Sequence, residues 1–234
     1  MKILVIRLSA LGDVVRTLPA LSCLRRARPD ATIDWAVEEA SRDILADQPD
    51  LDGLLVFPRR ALSRLPLHPA ELPEARAALG AFFARLKEAR YDLVIDFQGT
   101  LKSAILARLT GAPRRVGLGR GQAREMSYLF YTDPVRMPDR RMSRVDRALA
   151  LVAHLGIDTT RAESRIGERA EDAAYVELFL AALPRNGRAA AQPAVIFPGT
   201  SRHQAYKRYP PARFARAADL LSERAGVPVV VAWG

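Results

Sequence analysis

Lys2-Ile-Leu-Val-Ile-Arg-Leu-Ser-Ala-Leu-Gly-Asp-Val-Val-Arg-Thr-Leu-Pro19 decides how the rest of the chain reads. Ile3 to Ile6 is a β-branched apolar run bounded by charge, the pattern of a strand buried on both faces of a parallel sheet. Ser9-Ala-Leu-Gly12 breaks the run, and from Asp13 the apolar residues Val14, Leu18 and Leu21 recur at helical spacing. Strand, glycine turn and helix start put the turn at the carboxyl edge of a sheet, where ligands bind in open α/β folds. Asp13 stands at that helix start, facing the crevice. Two readings stay open for it. Aspartate is a good helix cap, and its charge suits the positive end of the helix dipole. A carboxylate kept ionised there is also the form that accepts a proton, which makes Asp13 a candidate general base. A phosphate cradle is excluded: a negative side chain repels phosphate, and neither G-x-G-x-x-G nor G-x-x-x-x-G-K-[ST] is present.

Working outward, strands and helices alternate. Thr32–Val37 predicts a second strand, 38–46 a helix, Leu54–Phe57 a third strand and 70–89 a long helix. Tyr91–Asp96 predicts a fourth strand, followed at Gly99 by another strand-to-helix turn; 114–117 predicts a short fifth strand. Further helices are expected at 125–130, 143–155 and 168–183. This rhythm is that of a parallel α/β sheet. The segment 184–193, Pro-Arg-Asn-Gly-Arg-Ala-Ala-Ala-Gln-Pro, has linker composition. After it the pattern restarts with a strand at 194–197, a glycine turn, a helix at 210–225 and a strand at 227–233. The expected division is a first domain over 1–183, a linker over 184–193 and a second α/β domain from 194 to 234. Two strands and one helix are too few for a domain with two covered faces, so the second reads as truncated.

Composition narrows the function classes. The 234 residues are 49% hydrophobic and 26% charged, which is ordinary for a globular protein. Cys23 is the single cysteine, so there is no disulfide framework and a reducing compartment is expected. The N-terminal apolar run stops at Arg7, too short for a signal peptide, and no apolar stretch approaches the ~20 residues of a membrane span. The net charge is 36 − 26 = +10. Only Lys2, Lys87, Lys102 and Lys207 are lysines, so arginine carries the charge. Arginines scattered with few aromatics argue against a nucleic-acid surface and favour an anionic small molecule or lipid headgroup.

Single residues are ambiguous by themselves. Asp50 and Asp52 have the D-x-D spacing of metal-dependent glycosyltransferases but lie in a Pro-containing turn, and read as turn chemistry. His68, His154 and His203 are isolated and have no second ligand at zinc spacing. Lys102 follows a strand and glycine turn as Asp13 does, so it is either a surface lysine or a ligand contact. Arg59-Arg60 reads alone as a solvated pair. The Gly117–Gly121 loop reads as flexible, with Arg124 kept as a contact.

Five motifs in order resemble one family. Ser9-Ala-Leu-Gly-Asp13 with Thr17-Leu-Pro19 is similar to the opening signature of the bacterial heptosyltransferases, inverting glycosyltransferases of family 9 with the GT-B fold. Asp34-Trp-Ala-Val-Glu-Glu39, Asp96-Phe-Gln-Gly-Thr-Leu-Lys-Ser103 and Gln122-Ala-Arg-Glu125 resemble the heptosyltransferase I branch. Phe197-Pro-Gly-Thr-Ser-Arg202 with Lys207-Arg-Tyr-Pro210 resembles the donor-binding turn. The resemblance implies two Rossmann-like domains, the first for acceptor and the second for ADP-heptose. It implies transfer of heptose to Kdo of the lipid A inner core, at the cytoplasmic face of the inner membrane. By the same resemblance Asp13 is the base; Ser9, Arg59, Arg60, Lys102 and Arg124 hold the anionic acceptor; Thr200, Ser201 and Lys207 hold the ADP phosphates. No cofactor or metal is expected. The alternatives are another family 9 nucleotide-sugar transferase, such as heptosyltransferase II, or a non-catalytic fragment that binds anions or lipid headgroups.

Overall fold

The computed structural model describes residues 1–64, 72–139, 141–183, 192–199 and 208–233. By its contacts the chain divides into two compact units, Met1–Glu168 and Arg169–Gly234. The linker inferred from composition lies almost wholly outside the described residues, and contacts group the helix that precedes it with the second unit.

The first unit is built on a six-stranded sheet. Its strands are β1 (Lys2–Ile6), β2 (Thr32–Glu38), β3 (Gly53–Phe57), β4 (Leu93–Asp96), β5 (Arg114–Leu118) and β6 (Asp133–Val135). The order is β3-β2-β1-β4-β5-β6, and every pairing is parallel. The apolar run of β1 is divided by the two-residue alternation of a strand. Ile3 and Val5 join a core with Ile33, Trp35, Leu93 and Ile95. That core is covered by Leu18, Leu21 and Leu24 of α2 (Leu18–Ala27) and by Leu151 and Val152 of α6 (Arg144–Ala153). Leu4 and Ile6 join the opposite core, against Phe82 and Leu86 of α4 (Leu72–Glu88) and Ala104 and Leu106 of α5 (Leu101–Leu109). Both faces are covered, as a parallel sheet requires.

Five expectations need correcting. The helix expected from Asp13 onward is two pieces, α1 (Leu11–Val15) and α2, because Pro19 has no N–H to continue the ladder and Thr17 turns its hydroxyl onto the Asp13 carbonyl at 2.8 Å. The segment expected as helix over 38–46 is two 3-10 turns, Glu39–Ser41 and Asp43–Leu45; only Ser41 and Leu45 are buried in them, too little to hold an α-helix. Residues 125–130 contain a 3-10 turn, Ser127–Phe130, rather than an α-helix. Strand β6 was not expected: it is three residues long with a proline at its centre, which only an edge strand tolerates. A short helix α3 (Arg59–Arg64) also forms where a loop pair was expected.

In the second unit, α7 (Ala170–Ala182) is followed by β7 (Ala194–Ile196), α8 (Pro211–Leu220) and β8 (Val229–Val231). β7 and β8 pair in parallel, so the strand–helix–strand unit read from the sequence is present. Among the described residues no helix is long and apolar enough to cross a membrane.

Candidate functional site

The site lies at the carboxyl ends of β1 and β4, the two central strands. Chain leaving β1 and chain leaving β4 are tied together by one side chain: Gln98 Oε1 accepts from the Leu8 and Ser9 amides at 3.1 and 3.3 Å. Gln98 belongs to a turn shaped by Asp96, which is wholly buried. Asp96 Oδ1 accepts from the Gln98 and Gly99 amides at 2.8 and 3.1 Å, and Oδ2 accepts from the Tyr131 hydroxyl at 2.7 Å. Tyr131 reaches it across Gly117, the residue opposite Asp96 on β5; a Cβ there would lie 2.5 Å from the tyrosine ring. Gly99 takes a left-handed conformation, φ 67°, which hands the chain to Thr100. Thr100 and Ser103 then cap α5 reciprocally. The Gly99 carbonyl accepts from the Arg124 amide at 2.9 Å and from Ser127 Oγ at 3.0 Å, which docks the loop that carries Arg124.

A cavity of about 350 Å³ opens on these turns. Ser9, Asp13 and Arg124, all singled out from the sequence, line it together with Gln98 and Thr100. Among the described residues its charged lining is four arginines (Arg7, Arg124, Arg144 and Arg147) and one carboxylate, Asp13. Asp13 does not cap a helix: the residue before α1 is Ala10, and no side chain caps that end. Its carboxylate instead meets three guanidinium groups. Arg7 reaches Oδ2 at 2.7 Å, Arg16 reaches Oδ1 at 3.1 Å, and Arg144 donates to Oδ2.

These partners are not equivalent. The Arg7 side chain is 10% exposed, whereas those of Arg16 and Arg144 are 55% and 58% exposed. Arg7 also donates to the Phe97 carbonyl at 2.5 Å, which fixes it, and its Nε is buried without a partner. Burial pulls the Arg7 guanidinium below its ordinary value, and Asp13 beside it opposes that pull. Arg7 is thus a fixed counter-ion, and the two exposed arginines are held only by water-competed ion pairs of low strength.

Other sequence-derived candidates lie elsewhere. Lys102 and Arg59 do not line this cavity. They converge on Glu38, whose side chain is 2% exposed, at 2.5 and 2.9 Å. Lys102 Nζ also stands 5.3 Å from the centre of the Phe57 ring. Arg60 is exposed and begins α3 with Arg59. Thr200, Ser201 and Lys207, with His68 and His203, lie outside the described residues. Asp52 is engaged by the Ile33 amide at 2.7 Å and by Arg25 at 2.5 Å, as a turn residue is. His154 ends α6 and its Nε2 is 2.7 Å from Asp133 Oδ1. Sequence reasoning missed Arg7, Gln98, Glu38, Arg144 and Arg147 as site residues. Arg7 lies just before one motif that was noticed and Gln98 inside another, so a closer reading of those motifs could have found them. Arg144 meets Asp13 across 131 positions, and nothing local announces it.

The sequence profile of glycosyltransferase family 9 (heptosyltransferase) matches residues 79–234. Lipopolysaccharide heptosyltransferase 1 of Pseudomonas aeruginosa is 41% identical over 132 residues, covering 56% of this chain and 36% of that protein. Lipopolysaccharide heptosyltransferase 1 of Escherichia coli is 28% identical over 240 residues, covering 100% of this chain and 68% of that protein. Among solved structures, E. coli heptosyltransferase WaaC with ADP-2-deoxy-2-fluoro heptose superposes with a TM-score of 0.77 at 28% identity, over all of this chain and 69% of that one. E. coli ADP-heptose lps heptosyltransferase II gives 0.70 at 25% identity, over 99% of this chain and 64% of that one.

Two predictions follow from the Asp96 network. Tyr131→Phe leaves a buried carboxylate oxygen without its donor and should lower unfolding free energy by about 2 kcal/mol in a denaturant titration. Burial holds the Asp96 carboxyl above its ordinary range against the hydrogen bonds it accepts. Its stabilising contribution is therefore full below the ordinary carboxyl value and declines as pH rises through the raised folded value. Asp96→Asn has nothing to ionise, so melting temperatures across that window should fall less steeply with pH than in the parent protein. An unchanged slope would show that Asp96 is not the group responsible.

Proposed function

The chain belongs to glycosyltransferase family 9, the heptosyltransferases, and from that premise we propose that it transfers L-glycero-D-manno-heptose from ADP-heptose to a Kdo hydroxyl of the lipid A inner core. The place of the reaction in this reading is the cytoplasmic face of the inner membrane, where the protein is peripheral. The observation that carries the reading is the carboxylate of Asp13 in a cavity where, among the described residues, the other charged groups are arginines.

That arrangement suits the acceptor half of an inverting transfer. Kdo is a sugar acid, and an arginine-lined cavity attracts anions and fixes carboxylates with paired N–H donors. Asp13 takes the proton from the acceptor hydroxyl as its oxygen attacks the anomeric carbon, and the bond from that carbon to the ADP oxygen breaks. A base in this position typically contributes 10²–10⁴-fold. The Asp13 carboxylate faces three guanidinium groups, and the acceptor hydroxyl must displace some of them to reach it. The exposed pair, Arg16 and Arg144, can turn to the incoming anion at little cost, while the buried Arg7 stays to orient the carboxylate. Binding the anionic acceptor thereby frees the base that the reaction needs. Arg124, on the loop docked to Gly99, is the further acceptor contact in this reading. Thr200, Ser201 and Lys207 are assigned to the leaving diphosphate, whose charge they offset with no divalent metal taking part.

Asp13→Asn should lower the rate of heptose transfer by at least about 10²-fold while ADP-heptose binding, measured by calorimetry, persists. A near-normal rate in that variant would remove Asp13 as the base. Transfer should continue undiminished in EDTA; a strict dependence on added divalent cation would reopen the role of Asp50 and Asp52.

A further inference from the structure

The solvent face of α5 is apolar where a surface helix should be polar. Leu101, Ile105 and Leu109 recur every four residues along one stripe and are 38%, 40% and 48% exposed. The 3-10 turn Ser127–Phe130 packs against α5, and beside it Met126, which precedes the turn, and Leu129 within it are 60% and 62% exposed. Together these five side chains make a ridge of large apolar groups, and scattered single exposures do not explain such a cluster.

Two features of the ridge identify what it meets. The first is charge. Arg108 projects from the exposed side of α5 and has no acidic partner among the described residues. α5 itself contains no acid, and the nearby Glu125 is turned onto the Leu101 amide at 3.1 Å. An apolar stripe with uncompensated arginine beside it matches the boundary of an anionic bilayer, with acyl chains below and headgroup phosphates at the rim. The second is position. Thr100, which caps α5, and Arg124, which precedes Met126, both line the Asp13 cavity, so the ridge begins at the mouth of the site.

We propose that this ridge is a membrane-docking surface: Leu101, Ile105, Leu109, Met126 and Leu129 enter the headgroup boundary of an anionic lipid leaflet and Arg108 pairs with lipid phosphate. Docked this way, the cavity mouth sits at the height of the headgroups, and a lipid-anchored sugar reaches Asp13 without leaving the bilayer. The docking function deepens the acceptor reading above and rests on it for its purpose.

The test is binding of the protein to vesicles of phosphatidylcholine with and without phosphatidylglycerol, in the absence of donor and acceptor, read by co-sedimentation. The parent should bind the anionic vesicles and bind the neutral ones weakly. Leu109→Ser with Leu129→Ser should reduce anionic-vesicle binding about tenfold, and Arg108→Glu at least about fivefold, with thermal melts and far-ultraviolet dichroism confirming that each variant is folded. Arg108 is exposed, so its variant keeps the test decisive if the double serine variant fails to fold. Equal binding by parent and variants, or no vesicle binding by the parent, overturns the proposal. So does a parent that elutes as a dimer which the serine substitutions dissolve, since the ridge would then cover a second copy of the chain. Because no sugar substrate is present, each of these failures leaves the transfer reading standing, and loss of transfer with vesicle binding intact would do the converse.

Discussion

A carboxylate with no access to water holds the working edge of this sheet in shape. Asp96 ends β4 and spends its two oxygens on three donors from two different stretches of chain. An ionisable group is costly in such a place unless it is fully hydrogen-bonded. The turn at 97–99 must therefore curl back to satisfy it, and that curl sets Gln98 against the Ser9 turn and aims Gly99 at the 124–127 loop. The two turns and the 124–127 loop that line one side of the cavity are positioned through that one residue. The glycine opposite it on β5 has a packing role, since any side chain there would push Tyr131 off the carboxylate.

The cavity inverts the electrostatics of that buried centre. Where Asp96 is satisfied by neutral donors, Asp13 is surrounded by guanidinium groups, one fixed and two exposed. Fixed and loose partners do different work around a carboxylate. A buried arginine with a second backbone partner sets direction, and exposed arginines set only the local field, because water competes for them. Glu38 supplies the contrast on β2: it is almost fully buried and takes up Lys102 and Arg59, so two of the cations that looked available in the sequence are already paired.

The central sheet was legible because its strands carry their own signature. Ile3–Ile6 and Leu93–Ile95 are apolar on both faces, which only a doubly covered parallel strand explains. Strand β6 and the 3-10 turns after β2 were not, because three residues around a proline, or two buried side chains in seven, carry no periodicity to detect. The site divided in the same way. Ser9 and Asp13 share one turn and were found through it, and Arg124 through its motif. Arg144 comes from a helix that reads only as amphipathic, and what brings it to Asp13 is the packing of α6 on α2. Lys102 shows the reverse: its place after a glycine turn was read correctly, but its partner is a buried glutamate on a strand 64 positions earlier.

The four-to-one balance of arginine over carboxylate in the cavity also bears on how this protein behaves at the bench. Like charges gathered in one concavity repel, and the native state carries that repulsion whenever nothing negative is bound. Dilute chloride leaves it unscreened, whereas added salt shortens its range. Ionic strength is thus a structural variable here, because added salt weakens a repulsion that a dilute buffer leaves at full range.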